Sequence, residues 1–201
     1  LSLTWSVIAG VLIGVWSGRN RSKWQDYTGM TVAVSGISMP SFWIGFMLIM
    51  VFAVKYRLLP TTGAGSFKNL ILPSITLGVS IAAIIARFTR SSVIEVMKED
   101  YVRTARAKGI GRRSVIYKHA LRNALVPIVT VIGMQIPVLF GGAVIVEQLF
   151  SWPGLGLMTM SAILNRDYPV IMGVCLLSAV VVLLANLVTD IVYAVVNPAI
   201  Q

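Results

Sequence analysis

Five stretches of this chain, residues 1–18, 31–54, 72–88, 124–146 and 170–196, hold only two charged side chains between them, Arg87 and Asp190. The hydrocarbon core of a bilayer asks for about 20 mostly apolar residues per helix, and each stretch is close to that length. A water-solvated surface cannot be built around them. The sequence is 57% hydrophobic and 12% charged, whereas an ordinary soluble domain carries about 25% charged residues. The expected fold is an all-α membrane protein with five spans.

The cations lie in the gaps between these stretches. Of 17 Lys and Arg residues, 3 fall in 19–27, 3 in 55–71, 10 in 87–123 and 1 in 147–169. Because cytoplasmic loops carry the excess of Lys and Arg, the 19–27 and 87–123 gaps are expected inside. Leu1 then starts outside, and Gln201 ends in the cytoplasm. The formal net charge of +10 does not point to nucleic acid, whose binders spread their cations over a polar face. The chain opens directly on an apolar run without Met, so an earlier span is expected to precede Leu1, in preference to a cleaved signal peptide. No inverted repeat of the kind that builds secondary transporters is visible.

Within the spans, Pro40 and Pro137 each remove a backbone donor and predict kinks, which serve either packing or gating. Gly10, Gly14 and Gly18, and the pair Gly141 and Gly142, offer small faces for close helix approach. Asp190, four residues after Asn186, is an intramembrane carboxylate expected, near the end of its span, to make an interfacial or interhelical hydrogen bond in preference to a transport role. Cys175, the single cysteine, is expected to be a small buried residue. No phosphate-binding loop, metal-ligand cluster or nucleophile paired with a base is present, so no catalytic or metal residue is assigned. His119, the single histidine, sits in a basic helix as a solvated or packing residue.

From Ser91 the sequence changes character. Val93, Val96 and Met97 keep helical spacing with Tyr101, Ala105 and Lys108, Gly109 to Gly111 breaks the pattern, and a second helix is expected from near Arg112 through His119. Such a surface element could anchor on anionic lipid, lie as an amphipathic helix in the interface, or dock a cytoplasmic partner. The tract "TARAKG" offers little apolar area to lipid, while its small side chains would let a partner's groove close around the backbone.

Four linked motifs carry a resemblance over nearly the whole chain: "EDYVRTARAKG", "HALRNALVPIVTVIG", "FSWPGLG" and "NRDYPV". They resemble the permease subunits of binding-protein-dependent ABC importers of the oligopeptide, dipeptide and nickel branch. The resemblance implies a type I ABC importer transmembrane domain over residues 1–201, with five of the family's six spans, and a cytoplasmic coupling segment at 99–123. Its ATPase-contacting residues would be Tyr101, Arg103, Thr104, Ala105, Arg106, Ala107, Lys108 and Gly109. The general family pattern is Glu-Ala-Ala, three residues, Gly, nine residues, then Ile-x-Leu-Pro. Aligned on Gly109, only Ala105, Gly109 and Leu121 keep that form, with Arg103 and Thr104 replacing Glu-Ala, and His119 and Arg122 replacing Ile and Pro.

The same resemblance implies a non-catalytic subunit of a bacterial or archaeal cytoplasmic membrane. It would work with a second homologous permease, two ATPases that bind ATP and Mg, and an extracytoplasmic substrate-binding protein; this chain itself would bind no cofactor. The stretch 147–169 would form a short re-entrant or interfacial piece at the outer mouth, with Gln135, Glu147 and Trp152 along the path. Peptides are favoured slightly over bare nickel because the spans hold no His or Cys cluster, while a chelated metal, which needs no protein ligands in the permease, stays an alternative. A stand-alone channel or secondary transporter is the more distant alternative, and would need its own ion-coupling residues in the membrane.

Overall fold

The computed structural model describes residues 1–100, 102, 104 and 121–196. Every regular element among these is helical. They are α1 (Ser2–Arg19), α2 (Trp24–Ser38), α3 (Ser41–Leu48) continued by a π-helical turn (Ile49–Lys55), α4 (Phe67–Val96), α5 (Leu121–Phe150), α6 (Leu155–Leu164) and α7 (Tyr168–Val196). The expected turn at Gly109 to Gly111 and the helix from Arg112 lie outside the described residues.

The α4 helix is the axle of the bundle. It starts at a capping box between Ser66 and Asn69, which satisfies free N–H groups of its first turn. It runs past the expected end at Phe88 as far as Val96. Ala83 and Ala86 pack with Ala33 of α2, Ile81 and Ile85 with Val131 of α5, Val93 with Val15 of α1 and Ile128 of α5, and Leu72 with Val146 and Phe150.

Close approach of α1 to α4 follows from the four-residue glycine spacing. A Cβ on Gly10 would lie 2.7 Å from the Ala82 carbonyl oxygen, one on Gly14 2.6 Å from that of Ala86, and one on Gly18 3.0 Å from the Val93 Cβ. Lipid supplies no hydrophobic drive for helices to associate, so dispersion between nearly touching backbones holds them, helped by hydrogen bonds. Ser6 Oγ donates to the Gly78 carbonyl at 2.8 Å, and Trp5 Nε1 to that of Ser74 at 3.0 Å. Gly14→Ala places its methyl against backbone that cannot rotate away. It is expected to cost about 1–3 kcal/mol, read as a lower melting temperature of the detergent-purified protein; an unchanged transition would show that this seam can open without loss.

The 31–54 stretch is not one continuous helix. It breaks at Met39 and Pro40 into α2 and the α3 unit, which meet at 104°. Pro40 has no N–H to continue the ladder, and its ring forces the preceding residue out of the helical region: Met39 has φ −89° and ψ 129°. Among the described residues, two helices, Phe67–Val96 and Tyr168–Ala194, are long and apolar enough to cross a membrane. The number becomes four if each bent pair counts as one span, the second pair being Ile128–Leu139 with Ala143–Phe150 at 54°. Ser2–Arg19, the first of the five expected spans, is not among them.

The last helix, α7, packs on α5 where Thr189 sits against Gly133. Its far side is a continuous apolar face, with Leu176 69% and Leu183 68% exposed. Cys175 lies on α7 and is exposed rather than buried, as are Asn186 and Asp190. In a helix only 6% buried over its most apolar window, burial is available to few side chains.

Candidate functional site

The end of α4 leads into the segment expected to couple. Val102 is fully buried against Val96 and Met97, so the chain folds back on the last turn of α4 as it leaves it. Thr104 is exposed, and its hydroxyl donates to the Asp100 carbonyl at 2.9 Å. Tyr101, Arg103, Ala105, Arg106, Ala107, Lys108 and Gly109 lie outside the described residues.

About a turn and a half before α4 ends, Arg90 makes a two-point ion pair with Asp26. It donates from Nε to Asp26 Oδ1 at 2.6 Å and from Nη2 to Asp26 Oδ2 at 2.7 Å. Asp26 is 2% exposed in the first turn of α2. It also accepts from the Ser17 hydroxyl of α1 and from the Ser22 backbone N–H at 3.1 Å. A fork-to-fork guanidinium and carboxylate pair fixes orientation as well as distance. One carboxylate therefore ties α1, the following turn, α2 and α4 together beside the segment that leaves α4. Sequence reasoning missed it because Arg90 was counted only among the cations of the 87–123 gap and Asp26 was given no reading. A signal was present: Asp26 is the only acid before Glu95.

The three residues assigned to a path do not form one group. Glu147 and Trp152 meet on the wall of a cavity of about 200 Å³, with Leu1, Ser2, Pro73 and Ser74. Glu147 has a local partner: its Oε2 accepts the Leu157 N–H at 2.9 Å, and its main-chain carbonyl accepts the Trp152 N–H at 2.8 Å. The N–H groups of a first helical turn have no partner in their own helix. Glu147 thus caps α6 from outside, with Gly154 pressed against its carboxylate where a side chain would collide. Gln135 stands 12 residues earlier on α5, about 18 Å along a helix. It is 7% exposed, on the α5 face that puts Val131 against Ile81 and Ile85. Its Nε2 donates weakly to the Val131 carbonyl at 3.4 Å, and its buried Oε1 has no hydrogen-bond partner among the described residues.

Residues 10–201 match the family described as the binding-protein-dependent transport system inner membrane component. The chain belongs to this family. It is 50% identical over 200 residues to the glutathione transport system permease protein GsiC of Escherichia coli strain K12, covering all of this chain and 65% of that protein. The protein of the same name from Salmonella choleraesuis strain SC-B67 is 48% identical over the same extent. The chain thus spans about 65% of the length of the curated relatives it matches. Among solved structures, the MetNI methionine ABC transporter, in a study of its inward-facing conformations, superposes with a TM-score of 0.77 at 19% identity, covering 98% of this chain and 91% of that one. At that identity the likeness establishes the fold, the type I ABC importer transmembrane fold. As a member of this family the chain is a membrane component rather than a catalyst.

Proposed function

We propose that the chain is the permease subunit of an ATP-driven importer of small peptide-like solutes, of which glutathione is the type. The observation that carries this reading is the 50% identity to a glutathione permease along the whole of this chain. No observation favours nickel or a metal chelate. In this reading two cytoplasmic ATPases bind ATP and Mg, a second permease completes the path, and an extracytoplasmic binding protein delivers the solute. The charge distribution supports an orientation with the Asp26 end and residues 99–123 in the cytoplasm, and the corner formed by Glu147 and Trp152 outside.

The mechanism is conformational. Nucleotide moves the permease only as far as it binds one of two states more tightly than the other. The coupling segment, with Tyr101, Arg103 to Lys108 and Gly109 against the ATPase, is the lever. It follows α4, which ends at Val96, six residues beyond Arg90, so its displacement acts on a helix that is pinned to α1 and α2 at Asp26.

The test of substrate is uptake by the full-length protein reconstituted with its partners. Glutathione or short peptides should accumulate with ATP and compete with one another. Accumulation of a nickel salt alone, with no competition by peptides, would overturn the assignment.

A further inference from the structure

The outward face of α2 carries a row of hydroxyl side chains between the exposed Val32 and Val34, where a lipid-facing helix would be apolar throughout. Asp26, Gly29, Ala33 and Gly36 are its buried residues, and they point into the bundle at helical spacing. Directly opposite, Tyr27, Thr31, Ser35 and Ser38 form a row, all exposed. From Tyr27 to Ser38 this row climbs about 16 Å, roughly half the thickness of an apolar layer about 30 Å deep. The outward side of α7 provides the contrast within the same chain: Leu176, Val180, Leu183, Leu187 and Ile191 are all exposed there.

A groove of about 480 Å³ lies beside the hydroxyl row, with Met30, Val34 and Met39 making most of its lining apolar, the hydroxyls forming a polar edge, and the Asp26 and Arg90 pair at one end. Its size falls in the range of about 300–1,000 Å³ typical of small-molecule sites. Ser35 donates its hydroxyl proton to the Thr31 carbonyl at 2.8 Å, and Ser38 to the Val34 carbonyl at 3.1 Å. With the protons spent on the helix, the oxygen lone pairs remain available on the outward side as acceptors.

A row of hydroxyls finds better partners at a helix interface or a water-filled cavity than in lipid. We infer that this face of α2 is a wall of the solute path, whose hydroxyl oxygens accept hydrogen bonds from the amide and ammonium N–H groups of a peptide-like solute. The inference rests on the importer reading above for the solute, and on the structure for the wall. Weak, evenly spaced acceptors suit passage, because a solute can exchange one for the next without a deep well. The paired charges of Asp26 and Arg90 cancel, so the end of the groove holds no net charge to trap a zwitterion.

Cys175 is the only cysteine of these 201 residues, so Cys175→Ser, with Ser also replacing any cysteine elsewhere in the assembled transporter, gives a background free of thiols. Thr31→Cys, Ser35→Cys and, as a lipid-face control, Leu183→Cys are introduced singly into the full-length, assembled transporter in proteoliposomes. The probe is a positively charged methanethiosulfonate, which reacts with water-accessible thiolate. The two α2 positions should react at least about 10-fold faster than the control, because a thiol ionises poorly in lipid, and added S-methylglutathione should slow them. Rates equal to the Leu183→Cys control would overturn the inference, since the row would then face lipid or a packed protein surface. ATP-driven uptake is measured in parallel. Normal uptake with silent α2 cysteines refutes the wall alone, whereas reactive cysteines without ATP-dependent uptake support a water-filled face and refute the importer.

Discussion

Asp26→Ala is expected to destabilise the protein by about 2–3 kcal/mol, below the roughly 3–5 kcal/mol of a fully buried ion pair because the Arg90 side chain is 30% exposed. The cost arises less from the lost attraction than from what is stranded. Arg90 would keep its charge beside α2 without a counter-ion, and the Ser17 hydroxyl and Ser22 N–H would lose their acceptor. Asp26→Asn keeps the shape and two acceptor sites on its carbonyl oxygen but not the charge, so it should fall between the two. Chemical unfolding in mixed micelles checks both, and the pairing itself is checked by Arg90→Met together with Asp26→Leu. Replacing both members by apolar residues should recover much of the stability, since a buried pair is often no better than a well-packed hydrophobic one. A double variant as unstable as the two losses added would mean that each residue works independently.

The second large effect is expected at Ala105. Replacing it with Trp fills the small-residue tract that, in the proposed reading, a groove of the ATPase encloses. Overpacking of about 1–3 kcal/mol corresponds to a roughly 5- to 150-fold weaker hold on the ATPase. Membrane insertion should be intact, because the spans are untouched, while ATPase copurification and ATP-driven uptake fall together. Normal copurification with normal uptake would remove the tract from the interface.

Which features could be read from the sequence depended on how far apart the cooperating residues lie. Gly10, Gly14 and Gly18 recur every four residues, so one helix face could be read directly, and the structure uses it against Ala82, Ala86 and Val93. The break at Pro40 was also visible, but not its size: unbroken apolarity across 31–54 looks like a single span, whereas the extended backbone at Met39 turns α3 by 104°. Asp26 and Arg90 are 64 residues apart, and no local pattern links them. The solitary acid in the first 94 residues was the only clue. Glu147 was recognised as a polar group that needed an explanation, and the structure gives it a local one, since "PGLG" opens a helix whose free N–H groups want an acceptor. The hydroxyl row on α2 was spelled out in the sequence at spacings of four, four and three, but its meaning depended on knowing which face Asp26, Gly29, Ala33 and Gly36 bury.

The most direct measurement is solute accumulation in proteoliposomes holding the full-length permease, with and without its ATPase subunits and ATP. Accumulation above the external concentration only when both ATPase and ATP are present is the predicted result. Accumulation that persists without any ATPase subunit would contradict an ATP-driven importer and point instead to a transporter that works alone.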